Sequence, residues 1–300
     1  MAKQQDSRFR LMTYNTGGAR KDLGSNFASI VEVIKEISPD ILVMQEATEY
    51  QDAEGNWHRD GTRIMGKVDF KHYFFRPVLS LTEHLDVRKQ IFVDNIFKDW
   101  LEWQQGNAIL SRWDFVRLSD PSKSGQPRHV PLYRVPLYQG SRDTEPRYAL
   151  ITRIDHSPTY PFVVGIHFST LVGERGEQCI PGKSGEGELL RVEQARRLLN
   201  LLREHVLQPR KLVFLLGDLN ATADESCVSA ILEKEGGFMR LTPQNGEMPT
   251  HPNVSEPIDH IFVFPPERIE RYECRIIDNR VTQKASDHLP VLAEVVIKNS

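Results

Sequence analysis

The feature that most constrains this chain is a set of short, unbroken apolar runs, each of which ends in polar residues. Leu11-Met12-Thr13-Tyr14 ends at Asn15, and Ile41-Leu42-Val43-Met44 ends at Gln45 and Glu46. Phe162-Val163-Val164-Gly165-Ile166 ends at His167, and the run from Leu212 to Gly217 ends at Asp218 and Asn220. Runs of this length bounded by turn-forming residues read as buried strands. Strands are also expected over Arg8–Tyr14, Phe70–Val78, Asn107–Leu110, Arg147–Ile154, Phe162–Phe168, Lys211–Leu216, Ile258–Phe264 and Pro290–Ile297.

Two helices stand out by their period. Phe27, Ile30, Val31, Ile34 and Ile37 share one face, with Ser25 or Asn26 as N-cap and Ser38-Pro39 as the stop. Val192, Ala195, Leu199, Leu202 and Val206 form a second stripe over Leu189–Val206. Strands outnumber helices and do not alternate strictly with them, so a purely parallel sheet is excluded. The expected class is α/β, a sandwich of mixed β-sheets covered by helices.

Residues 50–65, 119–146 and 172–187 carry the Gly, Pro, Ser and Asp content of loops or insertions. The stretch 81–104, with Leu85, Ile91, Phe92, Ile96, Phe97, Trp100 and Trp103, reads as a core helix or, alternatively, as a wall facing substrate. No internal repeat or composition shift marks a boundary, so residues 1–300 are expected to form a single domain.

Charge sets a limit on partners. With 38 Lys and Arg against 41 Asp and Glu, the net charge is −3, so no chain-wide basic field draws it to nucleic acid or anionic membrane. Any phosphate must be met by a local site. Cys179, Cys227 and Cys274 are odd in number and widely spaced, which argues against a disulfide framework or a cysteine zinc site and fits a reducing compartment. The polar N-terminus and the lack of a long apolar run predict a cytoplasmic chain without a membrane span. No protein partner is indicated.

Some motifs are decoys. Gly176 and Gly182-Lys183-Ser184 resemble a phosphate-binding loop, but the glycines are one residue too far apart and no strand leads in. There is no His-Glu-x-x-His and no Gly-x-Ser-x-Gly. His58, His72, His84, His129, His156, His205 and His251 have no companion at useful spacing, so surface or packing roles are expected.

What remains is the polar set at the strand ends: Asn15, Glu46, His167, Asp218 and Asn220, joined by Asp259 after Pro257-Ile258 and by Asp287-His288 before Leu289-Pro290-Val291. Carboxylates and amide oxygens without thiolates suit a hard cation, Mg²⁺ or Mn²⁺. Glu46 is the first candidate ligand. A histidine fixed by a carboxylate can act as a base, and a second can donate hydrogen bonds to a phosphoryl group; His288 and His167 can fill those roles. The amides of Asn15 and Asn220 can hold phosphate oxygens or water without adding negative charge. By strand alternation His260 faces away from Asp259. The set points to phosphoester hydrolysis.

Met12-Thr13-Tyr14-Asn15, Pro39-Asp40-Ile41 through Gln45-Glu46, Gly106-Asn107-Ala108-Ile109-Leu110-Ser111, Gly165-Ile166-His167, Gly217-Asp218-Leu219-Asn220-Ala221, Ile258–Val263 and Ser286-Asp287-His288-Leu289-Pro290-Val291 occur in one order along nearly the whole chain. In this the sequence resembles the endonuclease/exonuclease/phosphatase superfamily. The resemblance implies a four-layer sandwich, two packed mixed β-sheets flanked by helices, and Mg²⁺-assisted attack of water on phosphorus. It implies Glu46, Asn15 and Asp287 at the metal and Asp218 positioning the water. Asn220 is implied on the phosphoryl oxygen, Asp259 behind His288 as base or electrostatic partner, and His167 as stabiliser or acid. Asn107 either contacts substrate or only starts a strand.

The histidine at 167 resembles deoxyribonuclease-like and phosphodiesterase-like members. The acid that supports it in deoxyribonuclease-like members has no counterpart in Tyr73-Phe74-Phe75-Arg76-Pro77. The expected substrate is a small phosphodiester or a phosphomonoester; the alternative is DNA or RNA. A nuclease needs a basic track, for which Arg59, Arg63, Lys67, Lys71, Arg112, Arg117, Lys123, Arg128, Arg134, Arg142 and Arg147 are candidates, with Trp100 and Trp103 available for stacking. A third reading is a phosphate-binding protein without turnover.

Overall fold

A computed structural model describes residues 8–17, 27–84, 100–133, 138–139, 141–176 and 179–298. In chain order its strands are β1 (Arg8–Asn15), β2 (Ile41–Asp52), β3 (Trp57–Arg59), β4 (His72–Ser80), β5 (Trp100–Ser111), β6 (Phe115–Val116) and β7 (Arg128–Tyr133). They continue with β8 (Arg147–Ile154), β9 (Phe162–His167), β10 (Val213–Asp218), β11 (Met239–Arg240), β12 (Asp259–Phe264), β13 (Ile269–Ile276) and β14 (Val291–Ile297).

These strands form two mixed sheets of seven. One runs β13-β14-β1-β2-β5-β4, with β3 paired to β2; the other runs β11-β12-β10-β9-β8-β6, with β7 paired to β8. Each sheet has one parallel pair at its heart, β1 with β2 and β9 with β10, and its other pairings are antiparallel. A parallel pair needs a crossover, and the two long helices supply it: Phe27–Ile37 between β1 and β2, and Lys183–Leu202 between β9 and β10.

Strand alternation explains why the runs are apolar without a break. Phe9, Leu11, Ile41, Val43 and Ile109 of the first sheet meet Val163, Phe214, Leu216, Ile261 and Val263 of the second in one core. The residues between them face outward. Met12, Tyr14, Leu42, Met44, Ala108 and Leu110 pack under Ile30, Val33 and Ile34 of the first helix. Val164, Ile166, Val213 and Leu215 pack under Ala195, Leu198, Leu199 and Leu202 of the second. A strand covered on both faces has no polar side, so the order helix, sheet, sheet, helix is written into its composition. This is the expected four-layer sandwich.

Several expectations are corrected. Trp100 and Trp103 lie on β5, which starts well before Asn107, because the chain there pairs with the extended end of β2. Among the described residues of 81–104, expected as a core helix or a wall facing substrate, Leu81–His84 are helical; residues 85–99 fall outside the described residues, as do Ser25 and Asn26. The second long helix starts at Lys183 rather than Leu189 and ends in a π-helical turn over Arg203–Leu207. The expected loop regions hold β3, the short helix Asp60–Met65 and β7. Strand β13 and the π-helical segment Cys227–Glu235 were not expected, since their apolar patterns are short and irregular. No helix among the described residues is long and apolar enough to cross a membrane.

Gly165 reports on how closely the sheets approach. A Cβ there would lie 2.8 Å from Cγ1 of Val43 in the opposite sheet. Gly165→Val is expected to lower stability by about 1–3 kcal/mol through overpacking. Adding Val43→Ala should recover part of that loss, read as denaturant midpoints at unchanged m-value.

Candidate active site

The alternation that builds the core also builds the site. Residues 11, 13 and 15 of β1, 163, 165 and 167 of β9, 214, 216 and 218 of β10, and 259, 261 and 263 of β12 share the inter-sheet face. Where the apolar residues stop, Asn15, His167, Asp218 and Asp259 continue the same face, and all four are buried. The parallel registers pair Asn15 with Gln45 and Asp218 with His167, so the two crossovers deliver their strand ends to one place. His260 points the other way; its Nε2 lies 2.8 Å from the Ala221 carbonyl, and burial lowers its pKa to about 4.

Glu46 reaches the site through a break in regularity. It has φ 53, and the pairing of β2 with β5 shifts register between Met44 and Ala47. A bulge re-aims a side chain at a local conformational cost, a device concentrated at functional sites. Asn15 Nδ2 then donates to Glu46 Oε1 at 3.4 Å and to Asp218 Oδ2 at 3.0 Å, joining the sheets. Gln105 Nε2 holds Glu46 Oε2 at 2.8 Å. Asn220, also in the left-handed region at φ 48, donates its backbone N–H to Asp218 Oδ1 at 2.8 Å and its amide to the Phe168 carbonyl at 3.1 Å.

The last loop closes the site. His288 Nδ1 lies 2.9 Å from Asp259 Oδ2, and its Nε2 is 3.8 Å from Asp218 Oδ2. Asp287 is exposed at the cleft, with His251 Nε2 at 3.7 Å and the His251 ring tilted at 53° to that of His288, their centroids 4.7 Å apart. Gly17 faces Asp287 at φ +70, where a Cβ would stand 3.1 Å from its Oδ1. Backbone conformation and space both call for glycine there. On the far side, His167 Nε2 is 3.5 Å from Asp218 Oδ2, and its Nδ1 is 3.2 Å from Arg147 Nη1. The cleft over these groups has a volume of about 530 Å³.

The electrostatics follow from burial and crowding. Burial and the neighbouring Asp259 raise Asp218 to about 6, against the opposing pull of His288 and the hydrogen bond from Asn15. For His288 burial alone would lower the pKa, but Asp259 and Asp218 outweigh it and raise it to about 10. His251 holds Asp287 well below the usual carboxylate range. Ligand atoms of Asp218, Asp259 and His288 lie within 4.8 Å of one another. Asp259 Oδ1 is buried without a hydrogen-bond partner among the described residues.

The fold therefore brings together Asn15, Glu46, His167, Asp218, Asn220, Asp259, Asp287 and His288. Asn107 is buried on β5 but does not line the cleft, and Gln105 on the same strand makes the contact to Glu46. Gln105 and Arg175 gain a place that spacing could not reveal; Arg147, expected only in a basic track, stands behind His167, and His251, expected in a surface or packing role, stands over Asp287. Only Gln105 carried a signal, two residues from Asn107 and so on the same strand face.

The raised pKa of His288 makes a stability prediction for the metal-free protein. Its proton stabilises the fold in full below the ordinary value of 6.5, and that contribution is lost as pH rises toward about 10. Removing the anion with Asp259→Asn should flatten the fall in denaturation midpoint across that window, measured against wild type at each pH.

Three comparisons bear on identity. The sequence profile described as "Endonuclease/Exonuclease/phosphatase family" matches residues 12–288. No curated protein gives a significant match. Among solved structures, the chain is similar to an endonuclease/exonuclease/phosphatase from Beutenbergia cavernae DSM 12333, with TM-score 0.64 and 20% identity over 97% of this chain and 72% of that one. It is also similar to truncated Caenorhabditis elegans TDP2, with TM-score 0.62 and 16% identity over 96% and 98% of the two chains. A family protein from Bacteroides thetaiotaomicron gives TM-score 0.60 and 15% identity over 98% and 96%. At these identities the structural likeness speaks for the fold. The profile spans nearly the whole chain, from within β1 to His288, and includes both parallel strand pairs and the loop that closes the cleft, so the chain belongs to the endonuclease/exonuclease/phosphatase family.

Proposed function

We propose that this chain is a phosphoester hydrolase that uses a divalent metal ion, Mg²⁺ or Mn²⁺, and prefers a small phosphodiester or phosphomonoester. The observation that carries the reading is the convergence of Glu46, Asn15, Asp218, Asp259, His167 and His288 from both sheets into one buried cluster under an open cleft. Family membership supports phosphoester chemistry in general.

The residues present fit a hard cation. The acidic groups crowd each other enough to raise Asp218, Asp259 Oδ1 lacks a partner, and the carboxylates offer oxygen and no thiolate. Glu46 and Asp287 would hold the ion, with Asn15 tying Glu46 to Asp218 through its amide. When bound, such an ion neutralises phosphoryl charge and makes water more acidic.

The remaining roles belong to the chain. Asp218, raised to about 6, is suited to orient a water and accept its proton near neutral pH. His288 is held as a cation by Asp259 and Asp218, so it serves as an electrostatic partner and donor rather than as the base. Asn220 and His167 line the cleft, which supports assigning them to the phosphoryl oxygens.

The basic residues bear on substrate size. Part of the possible nucleic-acid track is already engaged in ion pairs: Arg59 with Glu49, Arg63 with Asp60, Arg112 with Asp40, Lys123 with Asp120, and Arg147 with Glu145. Arg142 and Lys284 line the cleft and could serve one phosphate group and its near neighbours. A reducing, cytoplasmic setting is supported by the three free cysteines.

The test is turnover of a bis-aryl phosphodiester beside the matching monoester, with Mg²⁺ or Mn²⁺ and with chelator. Metal-dependent hydrolysis is expected, and Asp218→Asn or His288→Ala should reduce kcat by about 10²–10⁴-fold with the fold intact. Phosphate binding without turnover would leave a binding protein. Steep loss of cleavage of DNA or RNA with salt would instead favour the nuclease.

A further inference from the structure

We propose that Arg147 is a positioning residue that fixes His167 as a neutral donor, with its single ring proton on Nε2 aimed at the cleft. The inference rests on the phosphoester reading for its catalytic meaning, but the proton position can be measured on its own.

The geometry is a three-residue relay, with Arg147 and His167 on adjacent strands and Glu145 just before the first of them. Arg147 opens β8 and His167 closes β9, which pairs with it. Arg147 Nη1 donates to Glu145 Oε1 at 2.8 Å and lies 3.2 Å from His167 Nδ1. Glu145, Arg147 and His167 are 6%, 2% and 6% exposed, so water does not loosen the arrangement.

A guanidinium carries only donors. The ring nitrogen facing it must therefore accept, which leaves Nδ1 without a proton. On the other edge, Nε2 faces Asp218 Oδ2 at 3.5 Å, an acceptor that favours a proton there. The two contacts agree on one tautomer. Turning the ring over would put carbon against both partners and lose both contacts, so the ring orientation is also set. A second proton on Nδ1 would point at an Arg147 N–H, donor against donor.

The consequence concerns what His167 does. In an acidic relay the partner behind a histidine is a carboxylate, which accepts from Nδ1–H and supports an imidazolium able to give up a proton. Here the order is inverted: the carboxylate, Glu145, stands behind an arginine, and the arginine stands behind the histidine. His167 thus holds charge on a phosphoryl oxygen by a hydrogen bond from Nε2–H and does not protonate the leaving group.

The experiment is nitrogen NMR on the full chain with labelled histidine, the His167 signal being assigned through its loss in His167→Asn. The expected result is Nδ1 unprotonated and Nε2 protonated from mildly acid to mildly alkaline pH. Arg147→Met should release the proton to Nδ1 and reduce kcat about 10–100-fold with a much smaller change in KM, as for other residues that orient a reacting group. Arg147→Lys, which keeps a donor, should recover part of both. Rates across aryl esters of differing leaving-group acidity should keep one dependence in wild type and Arg147→Met. A wild-type His167 protonated on Nδ1 would overturn the proposal, even if Arg147→Met failed to fold. So would a folded Arg147→Met with an unchanged tautomer and rate. Absence of any phosphoester turnover would defeat the hydrolase reading while the tautomer result stood.

Discussion

The structure depends on two sheets packed face to face with their parallel strand pairs ending at the same edge. The hydrogen bond from Asn15 to Asp218, at 3.0 Å, is the point where that packing becomes a site. It joins β1 of one sheet to β10 of the other, so neither side chain is placed correctly unless the sheets meet at the right distance and offset. Sheets pack about 10 Å apart, and that spacing is set by interdigitated side chains such as Val43 over Gly165. Core packing and site geometry are therefore one constraint.

Burial then decides the electrostatics. Asp218, Asp259 and His288 lie where water is scarce, so their charges interact strongly and each must be satisfied by the others. The ion pair of His288 with Asp259 overrides the burial that would discharge the histidine, whereas Asp218 is left short of compensation. An unbalanced carboxylate beside an open cleft is what a cation or an attacking water can use.

A second buried network supports the cleft wall. Arg191, 1% exposed, pairs with Glu174 and Glu225 at 2.6 Å each, and Arg175 lies between the same acids while donating to the Asn220 carbonyl. Asn220 sits in a left-handed conformation, which its short amide tolerates better than most side chains. The network gives that turn a fixed partner. Removing either acid would strand a buried guanidinium charge, the costly way to break such a network.

Much of this was legible from the chain alone because it depends on local rules. Apolar runs without polar alternation imply strands covered on both faces, and Asn15, Glu46, His167 and Asp218 stand where those runs end. The helix over Phe27–Ile37 follows from its period. Where the apolar pattern was ambiguous, as at Trp100 and Trp103, the pairing of β5 with β2 decided for strand. Which side chains lie at the strand ends follows from the order of residues, since alternation and run length are properties of neighbours in the chain. Which of those ends meet, and that Gln105 holds Glu46, His251 stands over Asp287 and Arg147 backs His167, came from the packing of the two sheets. Those contacts join residues far apart in the chain, and their distances are set by how two sheets pack.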